Sequence, residues 1–168
     1  MIAPLFKKIL GELMIEIKQL VNNEKDEALL FAKKIFIESE DESYNKEGIE
    51  TFCNFVDNKK ITKSFKVYGA FEDNVLKGII TTDRRKRHIS LFFVDKVSQG
   101  KGIGKKLMSI IIDDNENSFI TVNSSRYAVP IYKKLGFIKM EEEKEQDGLK
   151  FTPMKLILKD EVIKYKNY

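Results

Sequence analysis

The stretch that most constrains this chain is Val94-Asp95-Lys96-Val97-Ser98-Gln99-Gly100-Lys101-Gly102-Ile103-Gly104-Lys105-Lys106-Leu107-Met108. Residues 89–94 are apolar apart from Ser90, as a buried strand requires. Beyond the glycines, Ile103, Leu107, Ile110 and Ile111 recur at helical spacing. Strand, glycine turn and helix in that order suit a phosphate group. The first N–H groups of a helix lack partners within it, and the helix dipole adds partial positive charge there. Glycine keeps Cβ atoms out of the anion's way. Lys101, Lys105 and Lys106 put cations where a helix start disfavours them, which an anion would explain.

Two familiar phosphate motifs do not fit. A P-loop needs Gly, four residues, then Gly-Lys and Ser or Thr; five residues after Gly100 stands Lys105, followed by Lys106. A dinucleotide fingerprint would need glycine at 105 and an acid after the next strand, where Asn123 stands instead. Gln99-x-x-Gly102-x-Gly104 instead resembles the acyl-CoA signature of the GNAT superfamily of N-acyltransferases. Taken alone, the pattern is also that of an ordinary strand-to-helix turn. Downstream, Ala128-x-x-x-Tyr132-x-x-x-Gly136-Phe137 resembles the segment GNAT proteins carry on the helix after their fifth strand. Both motifs stand in the family's order, and the resemblance runs from about residue 14 to 158.

The resemblance implies an α/β fold: one mixed, twisted sheet of about seven strands flanked by about four helices, with strands four and five splayed apart. It implies acetyl-CoA as co-substrate, with Gln99, Gly100, Lys101, Gly102, Ile103 and Gly104 holding the pyrophosphate through main-chain N–H groups. Phe92, Phe93 and Val94 would pair with the pantetheine arm, and Asn123 would meet it from the other wall. An N–H near Val94 would polarise the thioester oxygen. Tyr132 is the residue the family pattern makes the proton donor to the leaving thiolate; the plainer reading is a tyrosine packed between helix and sheet. The general base is not legible. Glu38, Glu72, Asp83 and His88 qualify only by being ionisable, and a water chain would serve as well.

The expected activity is N-acetyl transfer to a primary amine of a small molecule or peptide. The alternative is an acyl-CoA-binding module without turnover. The net charge of +4 over 168 residues is too slight for a nucleic-acid footprint. Arg84-Arg85-Lys86-Arg87 therefore reads as a solvated hairpin tip. With one cysteine, Cys53, and one histidine, His88, neither a disulfide nor a metal site is expected, and a reducing cytoplasm fits. No run approaches the roughly 18 apolar residues of a membrane span. A homodimer is left open.

Residues 1–13 read as an amphipathic extension rather than a signal peptide, with Met14 an alternative start; 14–158 read as the domain and 159–168 as a tail. Asn22 or Asn23 is expected to cap a first helix, and Ile49, Phe52, Cys53 and Val56 to share the buried face of a second. Cys53 is thus core rather than nucleophile. The acidic run 38–42 either attracts a cationic acceptor or is a solvated loop, with equal weight. Residues 137–145 and 149–158 are expected to form a hairpin about Asp147-Gly148. Pro153 predicts a bulge there, or pairing that begins after it.

Overall fold

The structure, a computed structural model, describes residues 14–39, 44–113 and 115–159. The expected 1–13 extension, most of the acidic run and all but the first residue of the tail lie outside these residues. The chain runs β1 (Ile15–Leu20), α1 (Asn22–Glu38), α2 (Lys46–Asp57), the one-turn α3 (Lys59–Thr62), β2 (Lys66–Glu72), β3 (Val75–Thr82) and β4 (His88–Val94). A 3-10 turn (Lys96–Ser98) leads to α4 (Ile103–Ile112), β5 (Phe119–Ser124), α5 (Val129–Lys134), β6 (Ile138–Lys139), β7 (Lys144–Gln146) and β8 (Leu149–Ile157). Among the described residues, eight strands and five helices replace the expected seven and four, because α3 is a single turn and the segment 137–145 breaks into β6 and β7.

The sheet order is β1-β2-β3-β4-β5-β8-β6, with β7 hanging from β8. Every junction is antiparallel except β4 with β5. Alternation along the strands sends apolar side chains to both faces, so there are two cores. On one face Leu20, Val67, Ile79 and Leu91 pack under Ala28, Leu29 and Phe36 of α1 and Phe52 and Val56 of α2. On the other, Ile80, Ile89, Ile120, Val122 and Met154 pack with Ile103, Leu107, Met108 and Ile111 of α4 and with Tyr132 and Phe137. Met108 takes the place expected of Ile110 on the buried stripe of α4, and Ile110 is half-buried. In α2, Phe52 and Val56 are buried as expected, but Ile49 is exposed and Cys53 half-buried.

Helix α1 starts without a side-chain cap; Val21 stands at the cap position and Asn22 falls inside the helix with φ 52°. Helix α5 ends as expected at Gly136, φ +93°: Phe137 N–H donates to Tyr132 O at 3.0 Å and Gly136 N–H to Lys133 O at 3.0 Å. This paired closure needs a left-handed residue.

Against β5 Pro153 overturns its expectation, whereas against β6 the matched pairs do begin only after it, at Met154. It sits inside β8, paired in unbroken register with Asn123, between Thr152–Ser124 and Met154–Val122. A strand residue turns its N–H and C=O to the same side. Pro153 O accepts from Met140 N–H at 2.8 Å, so its missing donor faces β6, not β5. β6 ends at Lys139, where that donor would have been needed.

Candidate active site

The site begins with a bulge. Thr82 pairs with Ile89 and Thr81 with Leu91, leaving Ser90 of β4 unmatched. The extra residue turns Ile89 to the α4 core and Leu91 to the α1–α2 core, although they are two apart in sequence. Parallel pairing with β5 stops at this point: only His88–Thr121 and Ile89–Val122 are matched. Beyond it, β3 still holds β4 as far as Val94, and β8 still holds β5 as far as Ser124. The two walls diverge and leave a gap between them.

Backbone direction along the gap follows from one bond. Asp95 N–H donates to Lys77 O at 2.8 Å, towards β3. Alternation then turns the N–H and C=O of Val94 and Phe92 into the gap, and those of Phe93 towards β3. Of the three residues expected to line the arm, two offer their main chain. The Phe93 side chain joins the α1–α2 core, 5.9 Å from Phe52 between ring centres. Asn123 is exposed on β5, on the opposite wall.

Past Val94 the chain makes its 3-10 turn and enters α4 through Gly100 (φ +78°) and Gly102 (φ +81°). A Cβ at either would meet nothing within 4 Å, so the space in front of them is open. No side chain caps α4. Its first N–H groups, those of Ile103, Gly104 and Lys105, therefore have no partner within the helix. Gly104 differs: a Cβ there would lie 3.3 Å from Phe92 Cζ, so this glycine lets α4 settle against β4. Lys101 Nζ stands 3.9 Å from Glu72 Oε1, a buried oxygen without a hydrogen bond.

Tyr132 is buried, its ring 6.0 Å from Phe92 and 5.1 Å from Phe137 between centres. Its hydroxyl has no hydrogen-bond partner among the described residues. Burial pushes its pKa well above the ordinary tyrosine range, so it stays protonated at neutral pH. The candidate bases are scattered. Asp83 accepts from Arg87 and His88 N–H at 2.6 and 3.3 Å and shapes the β3–β4 hairpin. His88 Nδ1 lies 2.8 Å from Thr121 Oγ1, and burial lowers its pKa against a smaller opposing pull from Asp83. Glu38, at the end of α1, stands 3.9 Å from Lys34.

Three features escaped the sequence reading. The Ser90 bulge has no sequence mark. Arg126 braces the turn before α5 by pairing with Glu143 at two points, Nε–Oε2 3.0 Å and Nη2–Oε1 2.5 Å. The Tyr127 hydroxyl reaches Gln99; its one signal was an aromatic residue beside Ala128.

The sheet thus opens between two parallel strands, and β4 leads on to an uncapped, glycine-led helix. The chain belongs to the GNAT acetyltransferase family, whose domain model matches residues 40–158. It is similar in fold to a GCN5-related N-acetyltransferase from Rhodopseudomonas palustris, with TM-score 0.72 and 16% identity over 88% of this chain and 100% of that one. PaiA N-acetyltransferase from Thermoplasma acidophilum, solved with coenzyme A, superposes with TM-score 0.67 and 19% identity over 86% of this chain and 99% of that one. A protein from Pyrococcus horikoshii is 27% identical over 86% of this chain and 98% of its own, with TM-score 0.61. No curated protein matches this chain by sequence. No helix among the described residues is long and apolar enough to cross a membrane.

Proposed function

We propose that this protein moves an acetyl group from acetyl-CoA directly to a primary amine of a small molecule or peptide. One observation carries the reading: the edge of β4 that β5 leaves unpaired is followed directly in the chain by the glycine-led, uncapped start of α4. Main chain facing the gap thus adjoins N–H donors facing open space. Residues 14–158 are proposed as the unit that does this, in the cytoplasm, where acetyl-CoA and a reduced Cys53 would coexist.

Acetyl-CoA supplies an activated thioester. The N–H groups of Ile103, Gly104 and Lys105 and the cations of Lys101, Lys105 and Lys106 hold its pyrophosphate, with Gly100 and Gly102 leaving room. Phe92 and Val94 pair with its amide-containing arm as a neighbouring strand would. The Val94 N–H polarises the carbonyl to be attacked, and Asn123 steadies the arm from β5. Tyr132 holds its proton through neutral pH and donates it to the departing sulfur. No single side chain is assigned as the base.

A second reading, acyl-CoA binding without turnover, is favoured by one observation: Tyr132 packs between Phe92 and Phe137 as a core residue would. Release of free thiol from acetyl-CoA, measured across a panel of amines and peptides, separates the two. Amine-dependent release is expected. Tight acetyl-CoA binding with no release for any amine would leave the binding module standing.

A further inference from the structure

The Gln99 side chain lies across the mouth of the gap. Its Nε2 donates to Val94 O at 3.2 Å, and its Oε1 accepts from the Tyr127 hydroxyl at 3.4 Å. Val94 is a residue whose main chain turns into the gap, so this carbonyl is one that an extended ligand along β4 would use. Resting on the acyl-CoA reading above, we propose that Gln99 and Tyr127 set the affinity for the acyl donor by competing with it. The Gln99 amide stands in for a ligand amide N–H at Val94 O, and binding exchanges one amide for the other.

The exchange is unequal. A ligand amide replaces the Gln99–Val94 bond with one of the same kind, so that term nearly cancels. The Tyr127–Gln99 bond has no replacement and opposes binding. Tyr127 is held ready for it: its neighbour Arg126 is pinned to Glu143, and Ser125 Oγ accepts from Ala128 N–H at 3.2 Å, setting the turn. The Gln99 main chain is engaged as well, its N–H reaching Lys96 O at 3.4 Å in the 3-10 turn. The side chain is therefore the part of Gln99 free to swing aside.

The test is acetyl-CoA binding by the full chain, Q99A and Y127F, using calorimetry for affinity and stopped-flow for association. Removing a competing hydrogen bond of ordinary net strength should raise the affinity of Q99A by about two- to tenfold, with faster association. Y127F should shift the same way by less. Weaker binding in Q99A would make the side chain a ligand contact, and unchanged binding would make it a bystander; either result overturns the proposal. An unshifted Y127F removes Tyr127 from it. In the native chain the Gln99 side-chain amide resonances should move on saturation with acetyl-CoA, and resonances that stay put also overturn it. A native chain that binds no acetyl-CoA would refute the underlying reading, an outcome distinct from all of these.

Discussion

The part of the sheet formed by β1 to β4 and the part formed by β5, β8 and β6 are covered differently. Over β1–β4 both faces are under helices, α1 and α2 on one side and α4 on the other. Over β5 and β8 one face meets α4 and α5 through Ile120, Val122 and Met154, while on the other α2 reaches only the start of β8, at Leu149. On the opposite face Phe119 and Ile157, directly paired, remain 46% and 45% exposed, with Lys155 Nζ 5.9 Å above the Phe119 ring. Within the sheet, strand pairing joins the two parts at just two matched residue pairs of β4 and β5 among the described residues. A sheet whose halves are each secured from outside can open at such a seam without unravelling. Stability is therefore concentrated on one side of the gap, and the other side serves as a wall.

The contrast breaks first at the core. Leu107 of α4 is fully buried. Leu107→Ala should cost about 2–5 kcal/mol in urea unfolding, whereas Phe119→Ala, on the bare face, should cost under about 1 kcal/mol. Equal costs would mean the β5–β8 face is covered after all.

Tyr132 sits where the two parts meet. Tyr132→Phe keeps the ring between Phe92 and Phe137 and removes only the hydroxyl. Turnover should fall by about 10²-fold, the low end for general acid catalysis, because CoA thiolate is a tolerable leaving group and a phenol raised by burial is a weak acid. Acetyl-CoA affinity should hardly change. Native turnover, with product release shown not to limit the rate, would reduce Tyr132 to packing.

At the helix start the expectation is sharper for one glycine than for another. Gly102→Val puts a branched side chain into open space at φ +81° and should weaken acetyl-CoA by at least about tenfold, roughly 1.4 kcal/mol. Gly104→Val meets the Phe92 ring, so a thermal melt should show lost stability as well. Calorimetry giving native affinity in a folded Gly102→Val protein would remove the phosphate from this turn.

The smallest effect concerns the seam itself. His88 is half-buried with its pKa lowered from 6.5 by desolvation, so the unfolded chain binds the proton more readily. Its contribution is intact above about pH 6.5 and is lost as pH falls through that value towards the lowered one. The melting temperature should decline over that window, and His88→Gln, which can keep a bond to Thr121, should flatten this part of the decline. A native protein whose melting temperature does not change across the window would show His88 to be solvated.

Local chemistry makes much of this legible in the sequence. The glycine turn, the spacing of Gln99, Gly102 and Gly104, the Ala128–Phe137 segment, the Gly136 helix end and the Asp147-Gly148 hairpin depend on backbone freedom and periodicity, and both are written residue by residue. Pro153 shows the limit: a proline's cost depends on which neighbour its missing N–H faces, and only the order β5-β8-β6 decides that. The Asn22 cap failed for a similar reason, since packing of α1 on the sheet, not a side-chain bond, sets where that helix begins.

By itself, then, the sequence determined the elements and the family motifs, because those depend on neighbours along the chain. Tertiary structure decided the Ser90 bulge, the divergence of β4 from β5, and the turning of Phe92 and Val94 main chain into the gap while Phe93 turns away. It also decided that Gln99, four residues beyond Asp95, folds back on Val94 and meets Tyr127, 28 residues downstream. Register between strands and contact across a gap are properties of pairs distant in sequence, and no periodicity along one strand records them.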